Sequence, residues 1–318
     1  MKKYLLLFFC LCLLFPQAAC SSQDSPAAND PLPASDGNAA DGHDSTPPSS
    51  PDSGSAESPP DGGAPLAFEE LTVVDTDVCS IKITGIEPDS NWGYTLTAQL
   101  ENKSADTTFM FSIDSAAVDG VQSDPFFASE IAPGKKANES IRFSDELQEH
   151  GVTAFSDIEI TFRVYDSNDW TADDIFHETV HIYPSGEEQV TPFVRQPQSD
   201  DITLIDDESV SVIVTGFTID KIWGHTVNLF LVNKTEDEIL FSVDEASING
   251  FMADPFYAAS VIGGKCCFSS FSWSDSQLAE NNISDIDEIE FLLKAQKSDD
   301  WMEDPLVEQT VTLNPDFH

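Results

Sequence analysis

Apolar residues recur at every second position along much of this chain. In residues 79–83 the apolar positions are Cys79, Ile81 and Ile83, and polar residues separate them. Successive side chains of a β-strand point to opposite faces, so this alternation predicts a strand with one buried face. The pattern returns in three further segments of the first half, at Leu96, Ala98 and Leu100, at Phe111 and Ile113, and at Ile158, Ile160, Phe162 and Val164. No segment has the 3.6-residue period of a long helix, although residues 145–150 and 275–280 are compatible with a short helical turn.

The second half of the chain repeats the first. Residues 216–301 echo residues 85–170, and the apolar positions of each strand are kept. Solenoid repeats are only about 20 to 50 residues long, so a period this large indicates two duplicated domains. Turn signals such as Asp119-Gly120 and Pro133-Gly134 divide each copy into about seven short strands, which is typical of an immunoglobulin-like antiparallel sandwich. We therefore predict an all-β fold with tandem immunoglobulin-like domains at residues 66–185 and 202–318, joined by a linker at 186–201.

A targeting leader precedes the domains. Lys2 and Lys3 are followed by an apolar run over residues 4–15 and then by small residues before Cys20. The run is too short to span a bilayer as a helix, which needs about 20 residues, and this order is typical of a signal peptide. The segment resembles a bacterial lipoprotein leader, which implies cleavage after residue 19 and acylation of Cys20. Secretion without lipid and a retained hydrophobic anchor are the alternatives.

Composition separates the leader from the domains and restricts the partners. Residues 20–65 are rich in Ser, Pro, Asp and Gly and contain neither Lys nor Arg, so we predict a disordered tether. The net charge of the whole chain is −43. Nucleic acid and anionic membrane surfaces are poor partners for such a chain, because binding them depends on Lys and Arg. Cationic partners or divalent cations are favoured, although an acidic surface also serves solubility alone.

The cysteine count does not indicate a disulfide framework. With Cys10 and Cys12 in the leader and Cys20 acylated, an odd number of cysteines is left in the domains. Cys79 and Cys267 align with Val210 and Ala137 of the other repeat, so both are expected to be small buried apolar residues.

A metalloprotease-like motif occurs in the first repeat. Residues 177–181 read His-Glu-Thr-Val-His, and zinc binding by such a motif requires both histidines on one face of a helix. Here the apolar residues Phe176, Val180 and Ile182 are separated by even numbers of positions, so they lie on one face of a strand. A strand with His177 and His181 on its outer face is therefore favoured. A zinc-dependent hydrolase at these two histidines is therefore an outside hypothesis, and weak zinc binding on a strand is a separate one.

Clustered acids in two turns suggest calcium as the one cofactor to test. Asp166, Asp169 and Asp300 are the candidate ligands, since Ca²⁺ prefers oxygen ligands. The EF-hand spacing fails because Trp170 and Thr171 stand where that loop needs an oxygen ligand and a glycine. Plain acidic turns between strands are the favoured alternative, so calcium binding is a hypothesis to test.

Retained aromatic and acidic residues mark candidate binding loops. Exposed tryptophans beside acidic residues bind sugars or peptides in many surface modules. Packing in the core or at corners explains the retention of these residues in both repeats equally well. The candidates are Trp92, Trp223, Trp170, Trp301, Asp124 and Asp254.

Motifs of catalysis are otherwise missing from the sequence. It contains no Gly-x-Ser-x-Gly elbow, no phosphate-binding loop and no dinucleotide-binding turn, so we predict no enzyme and no catalytic residues. The leader, the tether and the repeated elements, including Asn102-Lys103, Asp124-Pro125-Phe126 and Asp169-Trp170, together resemble Gram-positive surface lipoproteins with tandem immunoglobulin-like domains of unassigned function.

This resemblance implies an extracytoplasmic protein that is anchored to the membrane by lipid at Cys20. The leading hypothesis is a non-enzymatic binding or adhesion protein whose partner is a glycan, a wall polymer or a protein at the cell surface. A structural or accessory component of a cell-envelope complex is the alternative. No nucleic-acid partner is expected.

Overall fold

The computed structural model of the chain describes residues 68–90, 93–300 and 302–317. The predicted signal peptide, the predicted tether with its proposed lipidation site Cys20, and the loop residues Trp92 and Trp301 lie outside these ranges. Ser58–His318 forms one compact unit, and both hydrophobic cores lie within it. A fragment of this extent therefore contains every residue that either core requires.

The structure is all-β, as the alternating pattern predicts. Each repeat contains nine strands in its described part, where the sequence suggested about seven. The first repeat comprises β1 (Leu71–Asp75), β2 (Cys79–Ser90), β3 (Gly93–Asn102), β4 (Phe109–Val118), β5 (Val121–Ser123), β6 (Ala128–Ile131), β7 (Lys136–Arg142), β8 (Ile158–Asp166) and β9 (Phe176–Ile182). The helix α1 (Glu146–Glu149) lies between β7 and β8.

The second repeat has the same order of elements. It comprises β10 (Ile202–Asp206), β11 (Val210–Asp220), β12 (Gly224–Asn233), β13 (Ile239–Ile248), β14 (Phe251–Met252), β15 (Tyr257–Val261), β16 (Cys266–Trp273), β17 (Ile289–Lys297) and β18 (Val307–Leu313). The helix α2 (Asp275–Glu280) follows β16, and the side chain of Ser274 caps its first turn. Both short helices fall where the sequence allows a helical turn. Within the described ranges, no helix is long and apolar enough to span a membrane.

Each repeat is a sandwich of two sheets. In the first repeat, the order β1-β2-β3-β7 forms one sheet, and β5-β4-β8-β9, with β6 also paired to β4, forms the other. The second repeat is built alike from β10-β11-β12-β16 and β14-β13-β17-β18, with β15 paired to β13. Within each repeat the pairings are antiparallel.

The buried faces of the strands meet between the two sheets. In the first repeat Ile81 and Leu96 from one sheet and Phe111 and Phe162 from the other are fully buried in one cluster. The second repeat has its own cluster, which includes Trp273. Cys79 and Cys267 are free and buried, as expected, and Cys266 is half-buried. The period-two pattern thus identifies the inward positions correctly.

The two repeats share one continuous sheet. A parallel bridge pairs Val121 of β5 with Cys266 of β16, so strands of both repeats form a nine-stranded sheet. The segment predicted as a linker is folded locally, because Arg195 binds both carboxylate oxygens of Asp201 at 2.7 and 2.6 Å. Its Phe193 packs against the first core.

Candidate ligand-binding groove

The outer face of the sheet in the second repeat carries a patch of small polar side chains. The register of β11, β12 and β16 aligns Thr218 with Thr226 and Ser272, and in the next row it aligns Asn228 with Ser270. Residues two apart on a strand share one face, so all five side chains point away from the core. This face carries four hydroxyls and one amide in two adjacent rows, although Thr226 is buried and its hydroxyl donates to the carbonyl oxygen of Gly224.

A tight turn places Trp223 at the end of this polar face. One carboxylate oxygen of Asp220 accepts hydrogen bonds from the backbone N–H groups of Ile222 and Trp223, at 2.7 and 2.8 Å. These bonds hold the pKa of Asp220 below its ordinary value, because they favour the ionised carboxylate. Gly224 follows with a φ of 83°. The turn leaves 67% of Trp223 exposed.

A second turn brings Phe256 to the same end of the sheet. The carboxylate of Asp254 accepts a hydrogen bond from the N–H of Phe256 at 2.8 Å, and Phe256 has a φ of 53° and is 93% exposed. The buried Trp273 fixes the start of this turn, because its indole N–H donates to the carbonyl oxygen of Ala253 at 2.7 Å. Asp254 therefore shapes the loop that presents an aromatic ring.

These elements border adjoining open clefts, which together we call the Trp223 groove. A cleft of about 380 Å³ is lined by Trp223 and the five polar residues of the sheet, together with Asp220. A neighbouring cleft of about 420 Å³ shares Trp223, Ser270 and Ser272 with it and is bounded by Phe256. Both volumes fall within the range of small-ligand sites, about 300 to 1,000 Å³.

The groove extends towards the first repeat. A third cleft, of about 690 Å³, shares Asp220, Asn228 and Ser270 with the first and is also lined by Asp124 and His150 of the first repeat. Among the described residues that line the three clefts, none is Lys or Arg, whereas Asp220, Asp124, Glu146 and Glu149 contribute carboxylates. The groove therefore suits neutral or cationic ligands and disfavours anionic ones.

The structure brings some of the predicted binding residues together. Trp223 and the loop of Asp254 lie side by side at one end of the groove, and Asp124 lines its other end. Trp170 is 71% exposed in the loop between β8 and β9, and it lines none of the three clefts.

The calcium candidates do not form a ligand cluster. Asp166 accepts a hydrogen bond from the N–H of Asn168, and Asp169 accepts hydrogen bonds from the N–H and hydroxyl of Thr171. The bonds from Thr171 also lower the pKa of Asp169. Asp300 accepts a bond from the N–H of Met302 in the other repeat. These carboxylates are occupied as turn-forming acceptors, and calcium stays an untested prediction.

The two zinc candidates lie on a strand. His177 and His181 are both exposed on β9, as the parity of Phe176, Val180 and Ile182 predicts. Four residues along a strand span about 13 Å, which is too far for two ligands of one zinc ion. His177 pairs with Asp114 at 3.2 Å, and His181 pairs with Asp157 at 2.8 Å.

One mixed cluster has ligand atoms close enough to hold a metal ion. Within the part of the chain that the structure describes, Asp157, Glu159 and His181 form the one such group. Lys265 of the second repeat binds Glu159 at 2.5 Å, so an ammonium already pairs with one of the two carboxylates of this cluster. We assign it a structural role between the repeats.

Sequence reasoning missed the polar floor of the groove. The alternating pattern predicted only the inward positions of such strands and gave no reason to single out Asn228, Ser270 or Ser272. The serine-rich run at residues 269–274 is the signal that was available. Which outer positions form a groove depends on the turns of Trp223 and Phe256, and that proximity is a tertiary property.

No protein-family model matches the chain, and comparison with curated proteins also found no match. Among solved structures, the crystal structure of red sea bream transglutaminase matches at 12% sequence identity with a TM-score of 0.21. The match covers 77% of this chain and 32% of the transglutaminase chain, so it spans about a third of that protein's length. We draw nothing about fold or activity from a match with so low a TM-score.

Proposed function

We propose that this protein is a non-enzymatic binding protein that recognises a neutral or amino-sugar-containing glycan in the Trp223 groove. The observation that carries the proposal is an exposed tryptophan beside a row of hydroxyl and amide groups. An indole ring packs against the C–H face of a sugar ring, and small polar side chains bond to the sugar hydroxyls. A groove that continues into neighbouring clefts accommodates several linked sugars.

The leader-like sequence supports an extracytoplasmic location for this activity. In our proposal Cys20 carries the lipid, and the tether of residues 20–65 holds the two repeats away from the membrane. A protein in this location is exposed to wall polymers and surface glycans rather than to cytoplasmic ligands. Its net charge of −43 disfavours phosphate-rich polymers, so uncharged or cationic polysaccharides are the expected class.

The second repeat is the primary site in this proposal. The first repeat carries Thr97 and Arg142 at the positions of Asn228 and Ser272, as the matching strand registers show. Arg142 is exposed and larger than the serine that it replaces, so the first repeat presents a different face. Two related but unequal faces add avidity on a repetitive polymer without requiring equal affinities.

Binding of the Ser58–His318 fragment to a panel of neutral, amino-sugar and anionic polysaccharides tests the proposal. We expect saturable binding to a neutral or amino-sugar polymer, and we expect Trp223→Ala to weaken it at least about tenfold, as loss of a central aromatic contact does. Trp170→Ala is the matched control, because Trp170 is equally exposed but lies outside the groove. Chelation of divalent cations is expected to leave binding unchanged, because Asp166 and Asp169 do not line the groove.

Two results would overturn the proposal. One is the lack of saturable binding to every neutral and amino-sugar polymer in the panel. The other is equal loss of affinity in Trp223→Ala and Trp170→Ala, which would mean that the groove does not hold the ligand.

A further inference from the structure

The junction between the repeats is a contact between two unlike surfaces. On the first repeat, the carbonyl oxygen of Gly120, just before the edge strand β5, accepts a hydrogen bond from the N–H of Cys266 on the edge strand β16 at 3.1 Å. A salt bridge across the junction joins Glu159 of the first repeat to Lys265 of the second at 2.5 Å. The second repeat thus supplies the donor end of the junction, at β16, and the first repeat supplies the acceptor end, at β5.

Because the chain is duplicated, each repeat has a version of both ends. The counterpart of β5 in the second repeat is β14, and the counterpart of β16 in the first repeat is β7. Within the described ranges, β14 and β7 are edge strands that pair with only one neighbour each. Unpaired strand edges are templates for pairing with another chain unless they are blocked.

The free acceptor end, at β14, exposes apolar side chains. Phe251 is 50% exposed, whereas its counterpart Val121 is fully buried at the junction, and the adjacent Met252 is 68% exposed. Exposed aromatic and thioether side chains on an edge strand are typical of a contact surface rather than of a solvated turn.

The charge pair of the junction is reproduced at the two free ends. The counterpart of Lys265 is Lys135, and the counterpart of Glu159 is Glu290. Both residues are exposed, and neither has an ion-pair partner in the part of the chain that the structure describes. A copy placed on the free acceptor end in the manner of the junction brings its Lys135 to Glu290.

The aromatic contacts of the junction are replaced by polar ones at the free ends. At the junction the His150 ring stacks on Phe268 with centroids 3.8 Å apart. Their counterparts are Asn281, which follows α2 as His150 follows α1, and Asn138, and both carry amide side chains. A contact between free ends is therefore complementary but weaker than the internal junction.

We propose that copies of this chain associate head to tail, with β14 of one copy against β7 of the next and Glu290 of the first bound to Lys135 of the second. The contact joins unlike surfaces, so it extends into a ring or a linear array rather than stopping at a dimer. The association is expected to be reversible, because polar side chains replace the stacked ring pair of the internal junction. It is independent of the glycan proposal, since neither Lys135 nor Glu290 lines the groove.

Sedimentation of the Ser58–His318 fragment over a wide concentration range tests this arrangement. We expect the wild-type mass to rise with concentration, and we expect Lys135→Glu and Glu290→Lys each to remain monomeric. An equimolar mixture of the two variants is expected to associate again, because Lys at 290 then meets Glu at 135 and the wild-type pair forms at the alternate contacts. Glu288→Lys is the control, since it makes the same change of charge on an exposed neighbour.

Each possible outcome either supports or overturns the head-to-tail contact. Recovery of association in the mixture supports the head-to-tail contact. A wild-type fragment that stays monomeric at the highest concentration overturns it, as does association that survives Glu290→Lys or is lost equally in Glu288→Lys.

Discussion

Gly224 sets the direction in which Trp223 leaves the sheet. It has a φ of 83°, and a Cβ atom at this position would lie 2.3 Å from the carbonyl oxygen of Trp273. An L-amino acid here meets both an unfavourable backbone conformation and a clash with backbone that is held in the core. Glycine at this position is thus a requirement of the turn that builds the groove.

Substitution of Gly224 tests this requirement. We expect Gly224→Ala to lower the free energy of unfolding by about 2 kcal/mol or more. Gly250→Ala is the matched control, because Gly250 has a φ of 81° but nothing lies within 4 Å of its added Cβ, so a cost of about 1 kcal/mol is expected. Urea unfolding of both variants measures the difference, and equal losses would show that the contact with Trp273 is unimportant.

At the level of secondary-structure elements, one buried asparagine in each repeat links the two sheets of the sandwich. The side-chain amide of Asn102, at the end of β3, donates to the carbonyl oxygens of Thr107 and Ile131, both at 2.8 Å, and Ile131 belongs to β6 of the other sheet. Asn233 makes the same contacts in the second repeat, with Asp237 and Val261. The sequence revealed the retained Asn-Lys pair but not its role as a bridge between sheets.

Removal of this bridge is expected to destabilise the first repeat. Asn102→Ala removes the donor that joins β3 to the carbonyl oxygen of Ile131 in the other sheet, whereas the carbonyl oxygen of Thr107 still accepts from the hydroxyl of Ser104. We therefore expect a loss of about 1–3 kcal/mol in the free energy of unfolding. The exposed Asn138, which accepts one bond of 3.3 Å from Gln99, is the control, and Asn138→Ala is expected to change stability by less than about 0.5 kcal/mol. Similar losses in the two variants, measured by urea unfolding, would contradict the bridging role.

The elements themselves were predictable because their signal is local. Alternation in segments such as β8 and β17 depends only on neighbouring residues, and the strand interpretation of residues 176–182 followed from the parity of three apolar side chains. The groove and the shared sheet were not predictable, since Trp223 meets Phe256, and β5 meets β16, only after the chain has folded. The additional strands, such as β5 and β14, are too short to show a period of two.

At the scale of the whole molecule, His150 links pH to the contact between the repeats. Its burial lowers its pKa below the ordinary value of 6.5, an effect that Glu146 and Glu149 oppose and Arg195 reinforces. The unfolded chain then binds a proton at a higher pH than the folded chain does. The stability from neutral His150 is therefore present above pH 6.5 and is lost as the pH falls towards the lowered pKa.

Comparison of wild type with His150→Phe isolates this dependence. Phenylalanine keeps a flat ring against Phe268 and cannot be protonated. We expect wild type to lose more stability than His150→Phe between pH 7.5 and pH 5, while the many carboxylates affect both proteins alike. Parallel urea-unfolding midpoints across this range would show that His150 does not couple protonation to the junction.

The central claim is that the Trp223 groove holds a glycan, and the indole N–H signals of the tryptophans in a proton–nitrogen NMR spectrum test it most directly. Titration of the Ser58–His318 fragment with an oligosaccharide from the polymer that binds best is predicted to shift the Trp223 signal. The signals of the buried Trp273 and of Trp170 are predicted to stay in place, since neither indole lines the groove. Saturable binding that shifts the Trp170 signal and leaves the Trp223 signal unchanged would contradict the account.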